Sequence, residues 1–73
     1  MSTDRLATFN SALRSALHNR GALRSGQVYF NTLHDLEPTL ADAIRGTMDD
    51  PFYDDGRIPE FMGVVCYRLG GRL

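Results

Sequence analysis

Apolar residues recur at intervals of three and four in four separate stretches of this chain, with glycine or proline at their boundaries. That spacing is the period of a helix buried along one face. Leu6, Phe9, Leu13, Ala16 and Leu17 predict a first helix over about 3–19, capped by Ser2 or Thr3, favoured by Asp4 at its positive end and stopped at Gly21. A second is expected from Leu23 or Ser25 to Leu36, with Leu23, Gly26, Tyr29, Phe30, Leu33 and Leu36 on one broad face. Val28-Tyr29-Phe30 would also suit a strand, but Leu33 and Leu36 continue the helical spacing. Gly26 costs helix propensity, and within the apolar face it would let a neighbouring helix come close. Pro38 opens a third segment, since a missing N–H does no harm at a first helical position. Leu40, Ala41, Ile44 and Met48 line it, and Gly46 ends it, with Thr47 and Met48 in a frayed last turn. The fourth begins at Pro59, carries Ile58, Phe61, Met62, Val65 and Leu69 on its stripe, and breaks at Gly70-Gly71 before an Arg72-Leu73 tail.

One clear loop remains, Asp49-Asp50-Pro51-Phe52-Tyr53-Asp54-Asp55-Gly56, built from Asp-Pro and Asp-Gly turn chemistry. Phe52 and Tyr53 in its middle are expected to fold back on the core, because an aromatic pair loses much by staying in water. The fold class is therefore all-α: a compact bundle of three to four short helices with an aromatic-anchored acidic loop, one domain over 1–73. The expected core is Leu6, Phe9, Leu13, Leu17, Leu33, Leu36, Leu40, Ile44, Phe52, Phe61, Met62, Val65 and Leu69.

Seventy-three residues bury little surface, and domains of this size usually lean on disulfides, metals or self-association. The single Cys66 excludes an internal disulfide, and two histidines make a structural zinc site a poor expectation. No apolar run is long enough to cross a bilayer, and Met1-Ser2-Thr3-Asp4-Arg5 lacks an apolar signal core, so the expectation is a cytoplasmic protein without a membrane partner. Self-association, or docking on a larger partner, is the remaining support. Val64 and Tyr67 fall outside the main stripe of the fourth segment, with Cys66 at its edge, and a helix apolar on two sides is buried on two sides. Val64 and Tyr67 are the candidate residues of a homodimer interface.

Charge is unevenly spread although the net is −1. Residues 34–56 hold seven acids against Arg45, while Arg5, Arg14, Arg20 and Arg24 face only Asp4 over 1–33. Opposite-sign segments attract within one fold, and an acidic surface also suits a partner. All eight basic residues are arginine, which codon usage in a GC-rich genome explains without invoking phosphate binding. Asp49, Asp50, Asp54 and Asp55 read first as caps and turns, and with Arg45 as the candidate partner-binding surface. They lack the D-x-D-x-D-G spacing and distal Glu of a calcium loop, and a concave acid–base site is hard to form at this length. Gln27, Asn31 and His34 form a polar stripe that reads as a solvated face. His18 and His34 are not spaced as ligands, and Cys66 on an apolar helix reads as a packing residue rather than a nucleophile. No catalytic residue, cofactor or metal is assigned.

The second and third segments, joined by a tight turn, resemble a helix-turn-helix in spacing, but the second helix would offer Thr39, Arg45 and the acidic Asp42 to DNA. Phosphate neutralisation supplies much of the affinity in such complexes, so nucleic-acid regulation ranks behind protein binding.

Gly26-Gln27-Val28-Tyr29-Phe30-Asn31-Thr32-Leu33, Pro38-Thr39-Leu40-Ala41, Ile44-Arg45-Gly46-Thr47 and Asp50-Pro51-Phe52-Tyr53 resemble a group of small uncharacterised proteins of phages and prophages of high-GC, especially actinobacterial, hosts. The resemblance spans residues 22–62, and its most specific element is I-R-G-T-x-x-D-P-F-Y. It implies a phage-encoded protein acting in the host cytoplasm and carries no activity with it. In physical terms, Arg45 beside Gly46 would set a guanidinium against the acidic loop while Phe52 and Tyr53 plug the bundle. The expected function is a small helical protein-interaction module, a phage accessory factor that binds and modulates a host or phage protein.

Overall fold

The computed structural model describes residues 4–70. Helix α1 spans Arg5–His18, α2 Ser25–Leu36, α3 Pro38–Ile44 and α4 Ile58–Val65. A 3₁₀ turn, Asp55–Arg57, leads into α4, and a π-helical turn, Cys66–Gly70, continues it. No strand occurs among the described residues, and the class is all-α.

Local chemistry sets the ends. Asp4 caps α1, its Oδ1 accepting from the Ala7 amide at 3.1 Å. The expected caps Ser2 and Thr3, and the Arg72-Leu73 tail, lie outside the described residues. Past His18 the chain closes through Asn19, whose amide and side chain both donate to the Ser15 carbonyl, and turns at Gly21 with φ of +61°. Only Glu37 separates α2 from α3. Its amide still donates to Leu33 while its carbonyl already accepts from Ala41, so one residue serves both helices. Pro38 takes the first position of α3, and Gly46, at φ +77°, turns the chain out of it.

The core gathers Phe9 and Leu13 of α1, Val28, Phe30 and Leu33 of α2, Leu40, Ala41 and Ile44 of α3, and Phe61 and Val65 of α4, with Leu69 from the π-helical turn. Phe61 lies at its centre, tilted against Phe9 at 6.5 Å and edge-on to Tyr29 at 6.2 Å between centroids. Three expectations change. Val28 and Phe30, absent from the expected core, are both buried, so α2 is covered on more than one side. Leu36, expected inside, is 39% exposed, because it is the last residue of α2 and the chain has already turned away through Glu37. Leu6, Leu17, Phe52 and Met62 are half-buried and pack around the core rather than within it. The fourth segment also changes geometry: after Val65 its hydrogen bonds widen to the π pattern, a rare arrangement. Leu69 reaches the core there, while Cys66, Tyr67 and Arg68 stay exposed.

One ion pair joins the start of α1 to the α2–α3 junction. Arg5 forks onto Glu37, with Nε donating to Oε2 at 2.8 Å and Nη2 donating to Oε1. This hydrogen bond, together with the charge of Arg5, holds the Glu37 carboxyl below its ordinary range despite some desolvation. The folded state therefore binds the Glu37 proton less tightly than the unfolded chain. The pair stabilises the fold above the ordinary Glu value of ~4.3, and its contribution fades as pH falls through the lower folded value. Replacing Glu37 by Gln is expected to lower Tm by a constant amount between about pH 5 and 7, with the gap to wild type closing below about pH 4. Thermal melts of both proteins across this range measure that gap.

Candidate functional site

The loop between α3 and α4 is held by its own aspartates. Asp50 bridges two amides, Oδ2 accepting from Gly46 at 2.8 Å and Oδ1 from Phe52 at 2.9 Å. Thr47 closes the end of α3, its hydroxyl donating to the Ile44 carbonyl at 2.6 Å and accepting from the Asp49 amide at 3.1 Å. Asp54 caps the 3₁₀ turn through the Gly56 amide at 2.9 Å, and its own amide donates to the Pro51 carbonyl at 3.1 Å. Arg57 returns across the loop to the Met48 carbonyl at 2.7 Å and stands 3.5 Å from Asp54.

The loop is then fixed to the first turn of α2. Arg24, at the N-cap, has no capping side chain of its own kind to offer that helix end. Gln27 Oε1 accepts from the Arg24 amide at 3.0 Å, and Asp55, twenty-nine residues downstream of Gly26, accepts from the Gly26 amide at 2.8 Å. A carboxylate at this end also meets the positive pole of the helix. Arg24 Nη2 donates to the Phe52 carbonyl at 2.8 Å, and its Nη1 stands 3.4 Å from Asp55. Pro51 is fully buried beneath, and a Cβ on Gly26 would lie 2.0 Å from the Pro51 carbonyl oxygen. The close approach expected at Gly26 thus exists, but what approaches is the loop backbone and not a helix.

Among the residues expected to bind a partner, the structure separates internal roles from exposed ones. Asp50, Asp54 and Asp55 bond to loop and helix amides, the cap-and-turn chemistry expected first. The Asp49 carboxylate accepts no hydrogen bond among the described residues. Arg45 does not engage the loop as expected. It pairs with Asp42 one turn back at 3.1 Å and lies over the Phe30 ring at 5.1 Å, while the Gly46 amide makes the loop contact instead. The expected aromatic plug is also divided. Phe52 is half-buried, edge-on to Phe30 at 5.9 Å, but Tyr53 is 82% exposed and meets Phe52 edge-on at 4.8 Å. Pro51 takes the inward place that Tyr53 was expected to fill. Met48 is 80% exposed on the same loop. The apolar spacing sets Met48 on the buried side of α3, but Gly46 carries it off that helix.

The self-interface candidates part as well: Val64 packs half-buried against the core, whereas Tyr67 is 75% exposed. The polar stripe is also split. Gln27 serves the α2 cap, His34 stacks on Phe30 at 6.4 Å, and Asn31 faces an open groove of about 440 Å³ between α1 and α2. No cluster of His, Cys, Asp or Glu suited to a metal ion occurs among the described residues.

Compared with protein-family models, with curated proteins and with solved structures, the chain matches none.

Two glycines give opposite expectations for the same change. Gly26→Ala forces a methyl into backbone and is expected to cost at least ~1 kcal/mol net of its gain in helix propensity, lowering Tm by ~4–8 °C. Gly63→Ala, with nothing within 4 Å of the added carbon in α4, is expected to raise stability by ~0.5–1 kcal/mol. Asp55→Ala leaves the Gly26 amide without its acceptor and is expected to cost ~1–2 kcal/mol. Denaturant melts of the three variants measure these differences.

Proposed function

We propose that this chain is a small helical protein-interaction module whose contact surface is the loop from Met48 to Asp54. The observation that carries this reading is the presentation of Met48 and Tyr53. Both stand largely in water on a backbone whose neighbours are tied by Asp50, Asp54, Asp55, Arg24 and Arg57. Large side chains on a pre-ordered loop lose little conformational freedom on binding, and tyrosines are frequent anchors of protein interfaces. The four helices serve on this reading as a scaffold for the loop. Tyr67, on the π-helical turn, is a second exposed aromatic and the proposed centre of a homodimer contact.

The phage setting belongs to the same proposal. The segment I-R-G-T-x-x-D-P-F-Y that resembles small phage and prophage proteins runs from Ile44, the last residue of α3, to Tyr53 on this loop. Within it Gly46, Asp50 and Pro51 hold the loop's shape while Tyr53 stands outside. We place the protein in the host cytoplasm as an accessory factor that binds and modulates a host or phage protein.

The test is affinity capture from an actinobacterial host lysate with the tagged chain and with a Met48→Ala/Tyr53→Ala double variant. A captured protein whose affinity falls about tenfold or more in the variant, with Tm within a few degrees of wild type, is the expected result. Capture that is indifferent to both substitutions contradicts the reading. Light scattering of Tyr67→Ala against wild type tests the homodimer, and a monomeric wild type at high concentration removes it.

A further inference from the structure

The loop borders two concavities of different chemistry. One, of about 220 Å³, is lined by the rings of Phe52 and Tyr53 over the almost buried Phe30, together with Arg45, Gly46 and Asp50. That is below the ~300–1,000 Å³ usual for a small-molecule site and suits one large apolar side chain. Arg45 has one hydrogen bond among the described residues, from Nη2 to Asp42, so Nε and Nη1 keep donors for a main-chain carbonyl. The other, of about 380 Å³, is lined by Met48, Asp49, Asp54, Arg57 and Glu60. Arg57 is matched there by Asp54, whereas Asp49 and Glu60 have no cationic partner among the described residues. Tyr53 and Asp54 are chain neighbours, one lining each concavity.

We propose, building on the interaction-module reading, that these two concavities form one bipartite site for an extended peptide segment of a partner protein: an apolar or aromatic anchor residue enters the ring-lined cleft, and a nearby Lys or Arg meets Asp49 and Glu60. Charge complementarity chooses the occupant. The excess negative charge of the second concavity repels phosphate and carboxylate and favours a cationic side chain, and that attraction also speeds encounter. Tyr53 and Phe52 supply most of the apolar contact area, and the carboxylates select among apolar anchors by their flanking charge.

The probe is a random dodecapeptide display library, selected on the immobilised 73-residue chain and counter-screened on Tyr53→Ala and Asp49→Asn/Glu60→Gln variants. These positions are exposed or partly exposed and their side chains hold no loop hydrogen bond, and equal Tm values confirm intact folds. Expected are sequences with an apolar or aromatic residue within a few positions of Lys or Arg, about tenfold weaker on Tyr53→Ala and weaker by a smaller factor on the double variant or in high salt. Selected anchors with acidic or indifferent flanks that still require Tyr53 overturn the bipartite site and leave the loop as a docking surface. Peptides indifferent to Tyr53, or no enrichment at all, overturn both. Self-association of the chain that is lost in Tyr53→Ala assigns the cleft to a second copy and likewise overturns the proposal.

Discussion

The contact between the Pro51 carbonyl and the first turn of α2 organises the loop between α3 and α4. A helix end needs acceptors for its free amides, and Arg24 at the N-cap offers none from its side chain. Asp55 supplies the acceptor from a distant part of the chain, and it can do so only because Gly26 has no side chain to keep the loop away. Pro51 is then buried and Arg24 can reach the Phe52 carbonyl. One missing methyl group thus permits an inter-element cap, a buried proline and an ion pair at once. The usual penalty for glycine inside a helix is small beside what the close approach allows.

From this junction outward the loop works as a rigid bracket. Its inward side is Pro51 with part of Phe52, and its outward side is Met48 and Tyr53. The acidic residues that make the sequence look like a binding surface are in part consumed in building the bracket. Asp50, Asp54 and Asp55 accept from amides, whereas Asp49 and Glu60 have no ion-pair partner among the described residues. The aromatic side follows the same division, since Phe52 meets Phe30 edge-on while Tyr53 adds the rim.

Much of the scaffold was legible in the sequence because helix periodicity and punctuation are local. Leu6, Phe9 and Leu13 announce α1, Pro38 and Gly46 bound α3 closely, and Phe61, Val65 and Leu69 mark the buried side of the last segment. The cap-and-turn use of the aspartates was legible for the same reason, as Asx chemistry acts over two or three residues. Pro51 and Tyr53 depend on neighbours distant in sequence. Nothing local distinguishes Tyr53 from Phe52, and Pro51 reads as a turn residue until the space left by Gly26 is known. Arg45 beside an acidic loop suggested a pairing, but Asp42 lies one turn away on the same helix and the Phe30 face lies beneath. The widening of the last helix into a π turn left no mark on the apolar spacing.

The Gly26–Pro51–Asp55 junction makes the loop as ordered as the helices that carry it. Backbone ¹⁵N relaxation, with hydrogen exchange of the Gly26 amide, reads this directly. Order parameters near ~0.85 over residues 48–56, equal to those of α2, and a Gly26 amide protected although it sits in the first turn of a helix, are the results this account predicts. Values below ~0.6 across the loop, or a Gly26 amide exchanging as freely as in an unstructured peptide, would contradict it.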